Sequence, residues 1–256
     1  MNSEYFSQIS MNAAATAEQD DPIGRATLHR MASVDRYNRW IYEEIAPFSG
    51  RRLLEVGCGI GNMTDFFLDL EEVVGVDPLV SSVHNITAKY AKYPNVHIYQ
   101  GDITTGETVE KLIDHRFDTI ICLNVLEHIE QDQLALRHMY DLLVPGGRLL
   151  LFVPAGQFMY GSLDIALGHF CRYDQATLDA KVQQAGFTIL KSSYMNLAGI
   201  PGWWLNSRVL KRNILPIGQL QLFNILAPFF IAFEHSLRKV WDAPIGQSLL
   251  CIGQKQ

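Results

Sequence analysis

The sequence predicts an α/β fold, a mostly parallel sheet of seven strands with helices on both faces. Three observations carry this. A short apolar run, Leu53–Val56, stops in glycines at alternate positions, Gly57, Gly59 and Gly61, and so reads as a buried strand entering a turn that tolerates positive φ. Further apolar runs follow at 72–77, 96–103, 117–124, 148–153, 187–193 and 248–253, most of them separated by helical patterns. The second and third runs end in acids, Asp77 and Asp102, at the carboxyl ends of strands, where open α/β sheets bind ligands.

Taken in order, Met1 to about Gly24 is a polar lead segment. From Thr27, the residues Met31, Val34, Tyr37, Ile41 and Ile45 share a helical face, which Pro47 and Gly50 end. After the glycine turn, Met63, Phe66, Phe67 and Leu70 predict an amphipathic helix whose first N–H groups would face the turn. Helices are expected over Val80–Lys92, Gln131–Leu143 and Gln175–Ala185. The second ends at Pro145-Gly146-Gly147, and the third starts at Asp174 as N-cap.

The 256 residues, 48% of them hydrophobic, suffice for one sizeable domain with decorations. A net charge of −6 argues against a dedicated nucleic-acid binder, which needs clustered Lys and Arg. Cys58, Cys122, Cys171 and Cys251 lie far apart with no C-x-x-C pair, so reduced thiols and a cytoplasmic location are expected. No basic start followed by an apolar run marks a signal peptide.

The first turn indicates the ligand. A dinucleotide turn, G-x-G-x-x-G, wants its third glycine where Asn62 stands. Here the pattern is G-x-G-x-G, preceded by Glu55. The stretch resembles the first motif of class I S-adenosylmethionine-dependent methyltransferases, of the small-molecule, type-11-like kind. The resemblance extends from about Arg51 to Ser193 and to the terminal strand. It implies a Rossmann-like sheet with an antiparallel last strand and S-adenosylmethionine as cofactor. The implied cofactor residues at the first turn are Glu55, Gly57, Cys58, Gly59 and Asn62, with Asp77 and Pro78 after the second strand. Asp77 would take the ribose hydroxyls, Asp102 the adenine amine and Ile103 the ring face. Asn124 and Val125 would line the sulfonium and its methyl. His128 reads equally as a cover for the ligand and as a structural histidine. A carboxylate at the strand end suits a cationic ligand better than a pyrophosphate, although each acid has a helix N-cap as its rival reading.

Two segments should choose the substrate. In Ala155–Tyr173, His169 is the candidate general base, since a neutral imidazole takes a proton near pH 7. Tyr160, Arg172 and Tyr173 would orient the acceptor; the alternative is that His169, Arg172 and Tyr173 lock this loop onto the sheet. The helix before the first strand resembles a lid and offers His29 and Tyr37 as pocket residues, with Trp40 read equally as packing. The second segment, 196–243, is strongly apolar, with Trp203 as a further substrate candidate. Its uncharged stretch Ile214–Phe233 is long enough to raise a membrane span. That span is rejected because Pro216, Gly218, Gln219, Gln221, Asn224 and Pro228 interrupt it. Pro228 would instead open an amphipathic helix. Three uses are open for the insertion, in this order: a cap on an apolar pocket, a homodimer interface, and a peripheral membrane contact. Arg208, Lys211, Arg212 and Arg238 would meet an anionic substrate group or form a solvated face.

These readings divide the chain into a lead and lid helix (1–50), a cofactor-binding core (51–195 with 244–256) and an apolar helical insertion (196–243). They imply methyl transfer to an O, N or C nucleophile of a fairly hydrophobic small molecule, such as a secondary metabolite, quinone or lipid precursor. No metal is expected. The competing readings are an NAD-dependent oxidoreductase and a non-catalytic interaction module on the same fold.

Overall fold

A computed structural model describes residues 26–27, 29–30, 33–241 and 243–256. The polar lead segment Met1–Gly24 and Met31 of the first helical face lie outside them. One sheet organises the rest, in the order β3-β2-β1-β4-β5-β7-β6. Its strands are β1 (Arg52–Val56), β2 (Glu72–Asp77), β3 (Val96–Gln100), β4 (Phe117–Leu123), β5 (Leu143–Pro154), β6 (Thr188–Met195) and β7 (Ser248–Gln254). β1 to β5 pair in parallel, and β7 runs antiparallel to both β5 and β6. The expected seven-stranded, mostly parallel sheet with its antiparallel last strand is therefore present.

Successive strand residues face opposite sides, and both sides are covered. Leu54, Val56, Ile120, Cys122, Leu149 and Leu151 pack with α3 (Gly106–Leu112), α4 (Asp132–Leu142) and α6 (Gln175–Gln184). Leu53, Val73, Ile121, Leu150 and Phe152 pack with α1 (Asp35–Ile45) and with Leu220 and Phe223 of α8 (Ile217–Arg238). Burial on both faces explains why the strands read as continuous apolar runs. α2 (Val80–Tyr90) covers the β2–β3 edge through Ile86 and Tyr90.

Three local expectations are corrected. The glycine turn does not open a helix: a single 3₁₀ turn, Thr64–Phe66, stands there. Side chains hold the segment in other directions. The Thr64 hydroxyl donates to Glu55 Oε2 at 2.6 Å, the Tyr90 hydroxyl reaches Gly61 O at 2.9 Å, and Phe66 stacks on Tyr42 with centroids 4.9 Å apart. Asp174 occupies the N-cap of α6, yet its side chain makes no capping hydrogen bond. Pro228 lies inside α8 rather than in its first turn. A proline there leaves the carbonyl four residues back without its helical donor. Arg36 of α1 supplies one, its guanidinium standing 3.4 Å from Asn224 O and 3.1 Å from Ile225 O. The uninterrupted α8 is long and apolar enough to cross a membrane by length and composition, so the proline and polar residues that argued against such a run do not break it.

The strand order reverses between β1 and β4, and at such a point a crevice forms beyond the carboxyl ends of the strands. Phe152 supports this part of the sheet and is fully buried, with its ring edge-on to Tyr37 at 6.4 Å. Phe152→Ala is expected to lower stability by about 3–5 kcal/mol, read as a reduced urea midpoint with an unchanged m-value.

Candidate functional site

A cleft of about 320 Å³ lies at the reversal point, walled by the turns that follow four strands. β1 contributes Gly57, β2 Pro78, β3 Asp102 with Ile103 and Thr104, and β4 Val125 with His128 and Gln131. Phe170 closes one side from the loop after β5. Of the expected cofactor residues, Gly57, Pro78, Asp102, Ile103, Val125 and His128 thus meet in one wall. Glu55, Cys58, Gly59, Asp77 and Asn124 stand within two positions of them in sequence, and Asn62 five beyond Gly57, all outside that wall.

The chemistry of the turn is set by two buried carboxyls at neighbouring strand ends. Asp77 accepts from Gly59 N at 2.9 Å and from Leu79 N at 3.0 Å. Burial raises its pKa above the ordinary carboxylate value, against the pull of those two donors. Glu55 is held by Thr64; burial, with Asp77 adding to it, pushes its carboxyl up to about 8. Two acids in this condition favour a ligand carrying positive charge and disfavour one carrying phosphate. Gly61 sits at φ +79°, and a Cβ there would meet the Tyr90 hydroxyl at 2.5 Å. The third glycine is therefore required by α2 packing. At the end of β3, Asp102 Oδ1 accepts from Thr104 N at 2.8 Å beside buried Ile103. Asn124 takes a left-handed conformation, φ +54°, at the end of β4.

The loop after β5 builds a second cluster around Asp164, which is fully buried in the short helix α5 (Ser162–Ala166). Its Oδ1 stands 3.0 Å from His169 Nδ1 and 2.7 Å from Arg172 Nε. Its Oδ2 accepts from Gly161 N at 3.0 Å and from Trp203 Nε1 at 3.3 Å. Burial pushes the Asp164 pKa upward, but the His169 hydrogen bond and the Arg172 charge outweigh it and hold the group below its usual value. With Nδ1 engaged, His169 turns Nε2 toward Glu127 Oε1, 4.0 Å away. The His128 ring stands edge-on to the His169 ring at 4.6 Å, which links this cluster to the cleft wall. Glu127 is 1% exposed, and its Oε2 has no hydrogen-bond partner among the described residues. Glu127, His128 and His169 each place a ligand atom within 4.8 Å of the others, an arrangement able to hold a metal ion.

The expected substrate residues divide. Tyr160 donates to His169 O at 2.7 Å, Arg172 lies over the Trp203 ring at 4.6 Å, and both belong to the Asp164 cluster. Tyr173 is corrected to a core residue, its hydroxyl donating to Asp132 Oδ2 at 2.9 Å. Tyr37 is likewise placed in the core, against Trp40, Phe152 and Phe223. Both present an aromatic body to the sheet, and the amphipathic pattern that selected Tyr37 is a packing signal. His29 is exposed and is not brought to the cleft. Sequence reasoning gave no role to Asp164 or Glu127. One signal existed: Asp164 is the sole acid between residues 142 and 173.

A methyltransferase-domain family model matches residues 28–192. Similar curated proteins include the ubiquinone biosynthesis O-methyltransferases of Nitrobacter winogradskyi, 31% identical over 57% of this chain and 56% of that protein, and of Ruegeria pomeroyi, 32% identical over 55% and 60%. The chain thus spans between half and two thirds of the length of these relatives. Among solved structures, an S-adenosylmethionine-dependent methyltransferase from Archaeoglobus fulgidus shares the fold, with TM-score 0.56 and 18% identity over 86% of this chain and 93% of that one. One from Mesorhizobium loti has TM-score 0.56 and 14% identity over 85% and 96%. The G-x-G-x-G turn, the paired acids at the strand ends and the family match over 28–192 agree: this chain belongs to the methyltransferase-domain family, as a class I S-adenosylmethionine-dependent member.

Proposed function

We propose that this chain binds S-adenosylmethionine and moves its methyl group to a nucleophile on a fairly hydrophobic small molecule. The observation that carries the reading is the junction of two chemistries at one sheet edge: buried carboxyls beside a nucleoside-sized cleft, and an Asp–His pair whose imidazole stands edge-on to His128 of its wall. The relatives' names make an oxygen nucleophile the first acceptor class to test.

The bound cofactor supplies an electrophilic methyl on a sulfonium, with a good leaving group already attached. Glu55 would give its positive end an acidic surrounding, Asp77 would take the ribose hydroxyls, and Asp102 and Ile103 would receive the base. Asn124 and Val125 would line the methyl side, with His128 beside them. Asp164 fixes His169 with Nδ1 as the protonated nitrogen and stabilises the imidazolium. Nε2 is then the atom that removes the acceptor proton. Arg172 and Trp203 keep Asp164 ionised and oriented, so they are positioning residues. The protein's main work is orientation and exclusion of water.

A second reading has its own support. Glu127, with an unpartnered oxygen, and His169 Nε2 converge with His128, and a histidine backed by a carboxylate is the usual form of a metal ligand. A divalent cation there would acidify an acceptor hydroxyl in place of a free base. The two readings separate on chelation. Activity that survives exhaustive EDTA treatment favours the free base; activity lost and restored by a divalent cation favours the metal.

Three outcomes are expected. Calorimetry should show S-adenosylmethionine binding with no NAD binding, and Asp77→Ala should weaken it by at least tenfold. His169→Ala should lower kcat by about 10²–10⁴-fold with cofactor affinity unchanged; turnover near wild type removes His169 as base. The third concerns pH. Burial raises the Glu127 pKa to about 8, above its unfolded value, so the folded state holds a proton the unfolded state has lost. Stability contributed by the neutral form is full below about pH 4.5 and falls as pH rises toward 8. Glu127→Gln, which carries no titrating proton, should flatten that fall in urea unfolding measured from pH 5 to 8.

A further inference from the structure

We infer that the outward face of α8, together with the end of α7 (Gly199–Trp204) and the turn after it, seats this protein on an anionic lipid surface beside the mouth of the acceptor site. The acceptor site named here rests on the methyl-transfer reading; the seating on lipid does not.

α8 is apolar all round. A helix on the surface of a water-soluble domain turns apolar residues inward and polar ones outward. Here Leu220, Phe223 and Ile231 pack inward, polar ties also face the body, and the outward face is apolar too. Asn224 donates to Asp35 Oδ1 at 2.8 Å, Glu234 accepts from Asn196 N and Leu197 N at 3.0 Å each, and Arg238 reaches Glu44 Oε1 at 2.9 Å. The outward row is Leu222, Ile225, Leu226, Phe229 and Phe233, spaced for one helical face, with Ile225 66% and Phe229 70% exposed. No charged residue occurs from 213 to 233. α8 is long and apolar enough to cross a bilayer. The ties through Asn224, Glu234 and Arg238 instead fasten it along α1 and the end of β6, as in a helix that lies in the lipid interface.

The apolar surface continues to the site. Asn206 Nδ2 donates to Gln219 Oε1 at 2.9 Å, which joins the turn after α7 to the start of α8. On that side Trp204, Leu205, Val209 and Leu210 are exposed. The same turn holds the acceptor loop: Ser162 Oγ donates to Ser207 O at 3.0 Å and Arg208 to Tyr160 O at 2.9 Å. Exposed Phe158, Ile165 and Phe170 lie on that loop, and Phe170 belongs to the cleft wall.

Charge selects the occupant. The chain carries −6 overall, yet residues 192–233 contain no Asp or Glu and hold Arg208, Lys211 and Arg212. Arg208, Lys211 and Arg212 are exposed among the apolar residues of the turn. Cations beside an apolar helix face match anionic headgroups over acyl chains. A second copy fits less well, because a two-fold interface sets a patch against itself and this patch has no acid to meet its cations.

The test is flotation of the full chain with vesicles of phosphatidylglycerol and phosphatidylcholine, with phosphatidylcholine alone, and without lipid. Binding is expected on the phosphatidylglycerol vesicles, reduced at least tenfold at 0.5 M salt or on phosphatidylcholine alone. The exposed-face variant Ile225→Asp with Phe229→Asp should lose at least tenfold in bound fraction while keeping the wild-type melting temperature and cofactor binding. Lys211→Glu with Arg212→Glu should lose the preference for phosphatidylglycerol. The proposal is overturned if the wild type stays unbound, if neither variant changes binding, or if light scattering shows a dimer that ignores vesicles and that Phe229→Asp dissociates.

Discussion

The loop after β5 and its junction with α7 depend on one buried carboxylate. Asp164 takes donors from its own loop, from His169 and Arg172 further along it, and from Trp203 in the insertion. A charge removed from water on this scale is tolerable only when every lone pair is engaged and a countercharge is near. Both conditions are met here. The same bonds set the tautomer of His169 and anchor α7 to α5. The strand that precedes this loop and the insertion some forty residues later are thereby joined at a single side chain.

The cofactor side rests on different physics. Its parts are strand ends, and the sheet register fixes them before any ligand arrives: Glu55 pairs with Gly75, and Asp77 with Gln100. Two carboxyls brought together in a low-dielectric setting hold their protons more tightly than in water, and a cation relieves both. The rim is thus built from backbone register, and the Asp164 loop from side-chain hydrogen bonds.

Much of this was legible in the chain. Buried parallel strands carry an unmistakable signal, since both faces must be apolar, and the acids at 77 and 102 stood out because they end such runs. Three things were hidden. Met63, Phe66, Phe67 and Leu70 have helical spacing, but Glu55, Tyr90 and Tyr42 bind the segment from outside it, and periodicity knows nothing of them. Tyr37 and Tyr173 look like site residues by placement, while their rings fill core. Asp164 and Glu127 were passed over because a lone acid has no motif; its meaning arises when folding surrounds it with donors, or with none.

Pro228 and Arg36 carry a final consequence. The proline opens a gap in the backbone ladder of α8, and the guanidinium that fills it comes from α1, 189 positions earlier than Ile225. The amino-terminal helix therefore acts as a splint for a segment near the opposite end of the chain. A shortened version beginning at β1 would keep every strand and both acids of the rim, yet would leave the Asn224 carbonyl of α8 without a donor.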